Sequence, residues 1–351
     1  MTHDQRVVVS VATDNNYALP TQVTLYSMLK NIADGVMCDI HVLVPESLTA
    51  ANRQSIGGLA QRFNNCQVFF HNMGDAYSSG SIQKGHYVTT PTFYRLSLPS
   101  ILANETKCLW IDSDTVVMKD VSALYHTDIG GYYVAGVRTP FFMYSDSRKE
   151  RGTLRLGLDS LDSYINAGVA LLNLENIRAD DIDVKFEQLS TVPYRVHDQD
   201  VLNVACYGKI KVLPPKFNAM TMYLPVAEED YSVSTYLQLV YSVEEWRTAA
   251  TDPVIVHYAA REKPWTNTSI TLASLWWDAF SELFVDPEER FEVMHEQLEL
   301  SLLGTSNNLR EVQRELRKAQ RQLQDIRHSH SYRLGRALLA PLRLAKRLTV
   351  R

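Results

Sequence analysis

Along the first 115 residues, short apolar runs alternate with segments of helical spacing. Val7–Ala12, Ile40–Val44, Cys66–His71 and Lys107–Ile111 are compact apolar runs bounded by polar or turn-forming residues, and each is predicted to be a strand. Between them, Pro20–Ile32 carries apolar positions at helical spacing, a polar helix is expected from Thr49, and another over Thr92–Leu102. A Gly- and Ser-rich loop is expected through Gly85. Strands separated by helices favour a mostly parallel sheet, and in such sheets ligands bind beyond the carboxyl ends of the strands.

After Asp114 the alternation is less regular, with strand candidates at Tyr132–Val137, Val169–Leu174, Ile210–Leu213 and Val254–Tyr258. One α/β domain over residues 1–280 accounts for these runs. Beyond Asp286 the chain turns to Glu, Gln, Leu and Arg with no strand signal. Leu309, Val312, Leu316, Ala319, Leu323 and Ile326 are spaced alternately by three and four, an a/d seam of nearly three heptads. Residues 281–327 are therefore expected to be a helical or short coiled-coil segment, packing on its own domain or pairing in a homodimer through 309–326. From His328 to Arg351 there are six basic residues and no acid, with leucines along one helical side. Residues 328–351 read as a basic amphipathic tail suited to an anionic membrane surface, or as a solvated helix docked on the body.

The chain has 351 residues, 45% hydrophobic and 21% charged, which excludes general disorder. No uncharged apolar run is long enough to span a membrane, and Asp4 and Arg6 interrupt the N-terminus before a signal-peptide core forms. A cytoplasmic protein, peripherally attached at the inner face of the plasma membrane, is expected. The net charge of −5 hides an asymmetry. Residues 310–351 hold twelve Lys and Arg against three acids, a charge of +9, which leaves the first 309 residues at −14. The tail is thus expected to meet an anionic partner; a nucleic acid is not expected. Cys38, Cys66, Cys108 and Cys206 are scattered without a C-x-x-C pair, so buried thiols are expected rather than a zinc knuckle or disulfides. No glycine-rich phosphate loop is present.

The strongest chemical feature is Cys108–Leu–Trp–Ile–Asp112–Ser113–Asp114, an apolar strand running into two carboxylates at i and i+2. In extended backbone both side chains share a face and can address one hard divalent cation. The pair alone leaves metal binding open, because D-x-D also occurs at Asp181/Asp183, where a helix cap is expected, and at Asp198/Asp200. His257 ends the β-branched run 254–258, where a histidine is as readily a packed core residue as a ligand. Lys263–Pro264–Trp265 places a cation at a rigid turn suited to a diphosphate. Asp14–Asn15–Asn16–Tyr17 follows the first strand and offers acceptors and an aromatic face for a nucleoside, or an ordinary polar turn. Asn166–Ala167–Gly168 sets an amide beside small residues that permit close approach of a ligand to backbone. Asp198–Gln199–Asp200–Val201–Leu202–Asn203 places two carboxylates and an amide at an expected helix start.

In this order, these segments resemble the retaining glycosyltransferases of family 8, which include bacterial α-galactosyl- and α-glucosyltransferases of lipopolysaccharide synthesis and the glycogenins. The matching pieces are residues 11–17, Tyr94–Arg95–Leu96, residues 109–114, Asn166–Ala167–Gly168–Val169, residues 198–203, and His257–Tyr258 with Lys263–Pro264–Trp265. The resemblance implies a GT-A fold, a UDP-hexose donor (galactose or glucose) and Mn²⁺ or Mg²⁺ bound by Asp112, Asp114 and His257. It implies that Ala12, Asp14 and Asn16 hold uridine and ribose. Arg95 and Lys263 would hold the donor's sugar and phosphates, Ser113 would lie in the donor site, and Asn166, Ala167, Asp198 and Gln199 would line the sugar pocket. Gln199 matches the position nearest the anomeric carbon, where it stabilises an oxocarbenium-like state, unless the acceptor hydroxyl attacks from the front face and the departing phosphate takes its proton. The acceptor implied is a glycan or lipid-linked saccharide, with the loops Gly74–Tyr87 and Phe141–Asp162 expected to shape its site. Two departures stand out. Arg138–Thr139 replaces an acidic residue of some family galactosyltransferases, and Ala260 stands where glycine is common.

Two other readings fit part of this pattern. Asp112–Ser–Asp114–Thr–Val116 matches the D-x-D-x-[TV] motif of haloacid-dehalogenase-type phosphatases, with Asp112 as nucleophile and Asp114 as general acid. Such motifs usually open their domain, whereas over 100 residues precede this one. The third reading is a non-catalytic scaffold on a sugar-nucleotide fold.

Overall fold

In the computed structural model, residues 6–74, 76–77, 90–224 and 234–303 are described. The 309–326 seam, the 328–351 tail and most of the Gly74–Tyr87 loop lie outside them. The chain divides into two compact units, residues 1–294 and 295–351, and everything below concerns the first.

Ten strands among the described residues form two sheets. They are β1 (Arg6–Ala12), β2 (Met37–Val44), β3 (Cys66–Asn72), β4 (Lys107–Ile111), β5 (Thr115–Val117), β6 (Val134–Arg138), β7 (Ile165–Asn173), β8 (Ile210–Leu213), β9 (Ala219–Met220) and β10 (Ile255–His257). The large sheet has the order β3-β2-β1-β4-β7-β6-β8, and every strand runs the same way except β7, which is antiparallel to both neighbours. Its central strands are apolar throughout because both faces are buried; Val7, Val8, Val9 and Val11 of β1 and Leu109 and Ile111 of β4 are fully enclosed. The mostly parallel sheet is the one expected from the sequence. The chain winds outward from β1 through β2 to β3 and then returns to the other side of β1 as β4. The carboxyl ends of β1 and β4 therefore flank a topological switch point, where open α/β sheets bind ligands.

A small second sheet, β5-β10-β9, begins directly after Asp114. It was not anticipated, because strands of two or three residues carry too little periodicity to register. The first helix, Ala18–Asn31, is buried along most of its length and packs on β5 and on the Ala273–Leu283 helix. The Thr92–Leu102 helix is a 3₁₀ stretch, Thr90–Ser97, followed by one α turn at Leu98–Ile101; Pro91 and Pro99 interrupt continuous α hydrogen bonding. Phe141–Asp162 is not a loop. Asp146–Leu156 forms a helix, with Asp146 in its first turn, Arg155 in its last and Gly157 at φ 65° as a left-handed cap. Asp181 does sit at the N-cap of a helix, Ile182–Ser190, but at φ 54° and without a side-chain cap bond. All four cysteines are buried free thiols. No helix among the described residues is long and apolar enough to cross a membrane.

Candidate active site

The site is assembled where β4 leaves the large sheet and enters the small one. Ile111 pairs with Val169 of β7, and the Asp112 backbone N–H donates to Gly168 O at 2.7 Å. The chain then turns over Ser113 and Asp114. Ser113 Oγ donates to Ala12 O at 2.7 Å and accepts from Thr21 Oγ1 at 2.8 Å, while Thr24 Oγ1 donates to Ser113 O at 3.0 Å and Thr115 O at 2.8 Å. These bonds tie the ends of β1 and β4 to the first helix. In the small sheet Thr115 is paired with His257, and Tyr258 N–H donates to Asp114 O at 3.0 Å. The ladder thereby carries a histidine 143 positions further along the chain to the two carboxylates.

His257 Nε2 lies 3.2 Å from Asp114 Oδ1 and 4.0 Å from Asp112 Oδ2, and the three candidate ligand atoms lie within 4.8 Å of one another. The imidazole is turned edge-on by its Nδ1, which is 2.8 Å from Asn218 Oδ1. With Nδ1 donating to that carbonyl, a bare nitrogen and two carboxylate oxygens converge, an all-acceptor set that is satisfied by a cation between them. Oxygen-rich donors with one imidazole suit Mn²⁺ or Mg²⁺, so the residues present fit the expected divalent ion. Although burial opposes it, Lys263 and His257 hold the Asp114 carboxyl well below the usual carboxylate range, so it remains an anion. Gly168 is packed directly beneath. A Cβ there would stand 2.1 Å from His257 Cε1 and 2.9 Å from Asp112 Oδ2, so the small residue serves the histidine rather than a close approach of ligand.

Arg95 is 2% exposed and clips three elements together. One Nη donates to Asp112 Oδ1 at 2.9 Å, the other to Ala167 O, and the guanidinium lies 4.7 Å from the Trp110 ring centroid. Its Nε is 2.8 Å from Asp198 Oδ2, but the N–H points to Thr92 O at 3.1 Å, so this contact is an ion pair without a hydrogen bond. Asp198 Oδ2 is thus a buried acceptor with no donor. Burial pushes its carboxyl up to about 7 against the pull of Arg95. Lys263 Nζ donates to Asp114 Oδ2 at 2.5 Å and to Tyr258 O at 2.7 Å.

Of the residues picked from the sequence, Ala12, Asp14, Arg95, Asp112, Ser113, Asp114, Asn166, Ala167, Asp198, Gln199, His257 and Lys263 line one cavity of about 440 Å³, a size that suits a sugar nucleotide better than a single ion. Asn16 stands exposed and does not line it. Ser113 borders the cavity, but its hydroxyl is engaged within the fold. Thr139, Phe141, Arg195 and Met222 also line it, and Arg138 turns away to Val240 O at 3.0 Å. Ala260 lines it too. Sequence reasoning missed Asn218 and Tyr164, whose roles depend on contacts 39 and 35 positions away along the chain. A lone amide after Pro214–Pro215 and a lone tyrosine give no local signal.

Residues 8–269 match the family model for glycosyl transferase family 8. The chain belongs to that family. It is a glycosyltransferase, and the phosphatase reading of Asp112 and Asp114 gives way. A putative glycosyltransferase of Haemophilus influenzae is 29% identical over 219 residues, covering 61% of this chain and 63% of that protein. The matched part thus spans just under two thirds of that relative. A lipopolysaccharide 1,2-glucosyltransferase of Escherichia coli K12 is 24% identical over 251 residues, covering 62% of this chain and 69% of that protein. The crystal structure of galactosyltransferase LgtC with donor and acceptor sugar analogues superposes at a TM-score of 0.64 and 24% identity, over 81% of this chain and 98% of that one. That likeness gives the family 8 chain its fold, the GT-A arrangement expected from the motifs.

Proposed function

We propose that this family 8 chain is a retaining hexosyltransferase that takes galactose or glucose from a UDP-sugar, with Mn²⁺ or Mg²⁺ at Asp112, Asp114 and His257. The acceptor proposed is a glycan or lipid-linked saccharide in cell-surface polysaccharide or lipopolysaccharide assembly, a reading supported by the E. coli relative. The observation that carries the proposal is the convergence of three acceptor atoms, with Lys263 beside them, at the carboxyl edge of β4 inside a cavity lined by Ala12 and Asp14. A bound divalent ion would supply Lewis-acid neutralisation of the diphosphate leaving group. Lys263 would shift from Asp114 toward the diphosphate, Asp14 would meet the ribose, and Arg95 would hold Asp112 and Asp198 in place. Asp198 Oδ2, buried without a donor, would accept a sugar hydroxyl.

Gln199 borders the sugar side of the cavity. Its Oε1 already accepts from Asn166 Nδ2 at 2.9 Å and the Ala167 N–H at 3.2 Å. With both lone pairs engaged, the amide oxygen suits a fixed dipole beside a cationic anomeric centre better than a bond-forming nucleophile. The 281–327 segment and the basic 328–351 tail are proposed to dimerise the protein and hold it on an anionic membrane face. UDP release from a panel of UDP-sugars, with Mn²⁺ or with a chelator, tests the reaction. Metal-dependent release from one donor is expected; silence across the panel with both ions contradicts the proposal.

A further inference from the structure

We infer that Tyr164 and Asp200 are positioning residues for the cation site, acting on His257 through a one-way chain of buried hydrogen bonds. The inference rests on the reading of Asp112, Asp114 and His257 as a cation site. The chain runs from His257 Nδ1 to Asn218 Oδ1 (2.8 Å), Asn218 Nδ2 to Asn166 Oδ1 (2.9 Å), Asn166 Nδ2 to Gln199 Oε1 (2.9 Å), Gln199 Nε2 to Tyr164 Oη (3.1 Å), and Tyr164 Oη to Asp200 Oδ1 (2.5 Å).

Its direction is fixed by groups that have only one option. Backbone N–H groups only donate, so Ala167 N–H identifies the Gln199 atom at 3.2 Å as oxygen, and Gly168 N–H does the same for Asn166 Oδ1 at 3.0 Å. Gln199 must then present its NH₂ to Tyr164, and Asn166 its NH₂ to Gln199. At the far end Asp200 only accepts; it also takes the Val196 N–H at 2.8 Å and Arg155 at 3.2 Å. Burial and the adjacent Asp200 carboxylate push the Tyr164 phenol well above its ordinary range, so it remains a donor. Both ends therefore impose the same polarity. Asn218 gives its NH₂ to Asn166 and turns its oxygen to His257, which must carry its proton on Nδ1. Nε2 is left bare and aimed at Asp112 and Asp114.

The chain is shielded from water, which would otherwise let each link be remade either way round. Asp200 and Asn218 are fully buried, and Tyr164 and His257 are each 2% exposed. It joins the His197–Ala205 helix, β7, the turn before β9 and β10, so it spans both sheets. Removing the Tyr164 hydroxyl deletes the donor to Asp200 and the acceptor of Gln199 NH₂ together. That frees the Gln199 amide to rotate and removes the bias that Asn218 passes to the imidazole.

The test is ¹⁵N NMR of the His257 ring in the full chain, metal-free and at pH 8.5, about two units above an ordinary imidazole pKa, with Mn²⁺ affinity in the presence of UDP read separately by electron paramagnetic resonance. In the wild type we expect a protonated Nδ1 and a bare Nε2. In Tyr164→Phe we expect a mixture of tautomers and Mn²⁺ binding weakened roughly tenfold, the lower end of the range for losses around a metal site. A wild-type ring protonated at Nε2, alone or together with Nδ1, overturns the inference without any variant. A wild-type Nδ1–H ring that Tyr164→Phe leaves unchanged, with unchanged Mn²⁺ affinity, also overturns it, since Asn218 would then suffice alone. None of these readouts involves sugar transfer, so failure of the proposed reaction shows up separately, in the UDP-sugar panel.

Discussion

Gly168 and Asp198 show how much of the site depends on single side chains, or on their absence. A methyl group at Gly168 has no room beside the His257 ring, and the ring has Asn218 behind it. Gly168→Ala is therefore expected to weaken Mn²⁺ binding by roughly tenfold or more while lowering Tm by only a few degrees, because β7 keeps its ladder. Equal Mn²⁺ affinity in the variant would contradict the packing. Asp198 makes a prediction in pH. Its folded-state pKa of about 7 lies above the ordinary 3.8, so the folded protein binds the extra proton. The associated stability is full below about pH 4 and is lost as pH rises through 7. Asp198→Asn has no such group, so the Tm of the variant minus that of the wild type is expected to rise between pH 4.5 and pH 8. A difference that stays flat across this range would show that Asp198 is ionised throughout in the folded protein.

Among elements, the turn from β4 into β5 decides where the chemistry sits. Ser113 tests this directly. Its hydroxyl holds Ala12 O and accepts from Thr21, so Ser113→Ala is expected to cost about 1–3 kcal/mol and to lower Tm by several degrees, with little change in donor KM at temperatures where the variant is folded. A raised KM at unchanged Tm would instead place the hydroxyl on the donor. The strands flanking this turn were legible in the sequence because β1, β2, β3 and β4 are buried on both faces, and burial writes itself as a continuous apolar run. Asp112 and Asp114 were legible because they end such a run. The β5–β10 pairing was not, since Val116 and Val117 look like the tail of any β-branched stretch, yet this pairing alone brings His257 to the carboxylates. The Asp146–Leu156 helix was hidden by a charged surface face; only Gly152 and Leu156 along it are buried.

At the scale of the whole molecule, two sheets meet at one cavity and are joined there by polar contacts rather than by apolar packing alone. The acidic body and the basic C-terminal segment are separate in charge, −14 against +9, and the account gives them separate tasks. Deleting residues 328–351 is expected to leave UDP-sugar hydrolysis within about twofold of the full chain while shifting the protein from anionic vesicles to solution, since ~1 kcal/mol per basic residue is lost with the tail. Unchanged vesicle binding would remove the membrane role. Family membership and fold do not depend on that outcome, because the matched residues 8–269 end well before the tail.

The central claim is that a divalent ion held by Asp112, Asp114 and His257 makes this chain a UDP-sugar-dependent transferase. It is tested most directly by measuring UDP release from the preferred UDP-sugar at a series of Mn²⁺ concentrations, in the wild type and in His257→Ala. The account predicts saturable Mn²⁺ dependence in the wild type, abolished by a chelator. For His257→Ala it predicts a midpoint moved at least tenfold to higher Mn²⁺, the expected size for loss of one of three ligands. Release that persists in the chelator, or a midpoint unmoved by the substitution, would contradict it.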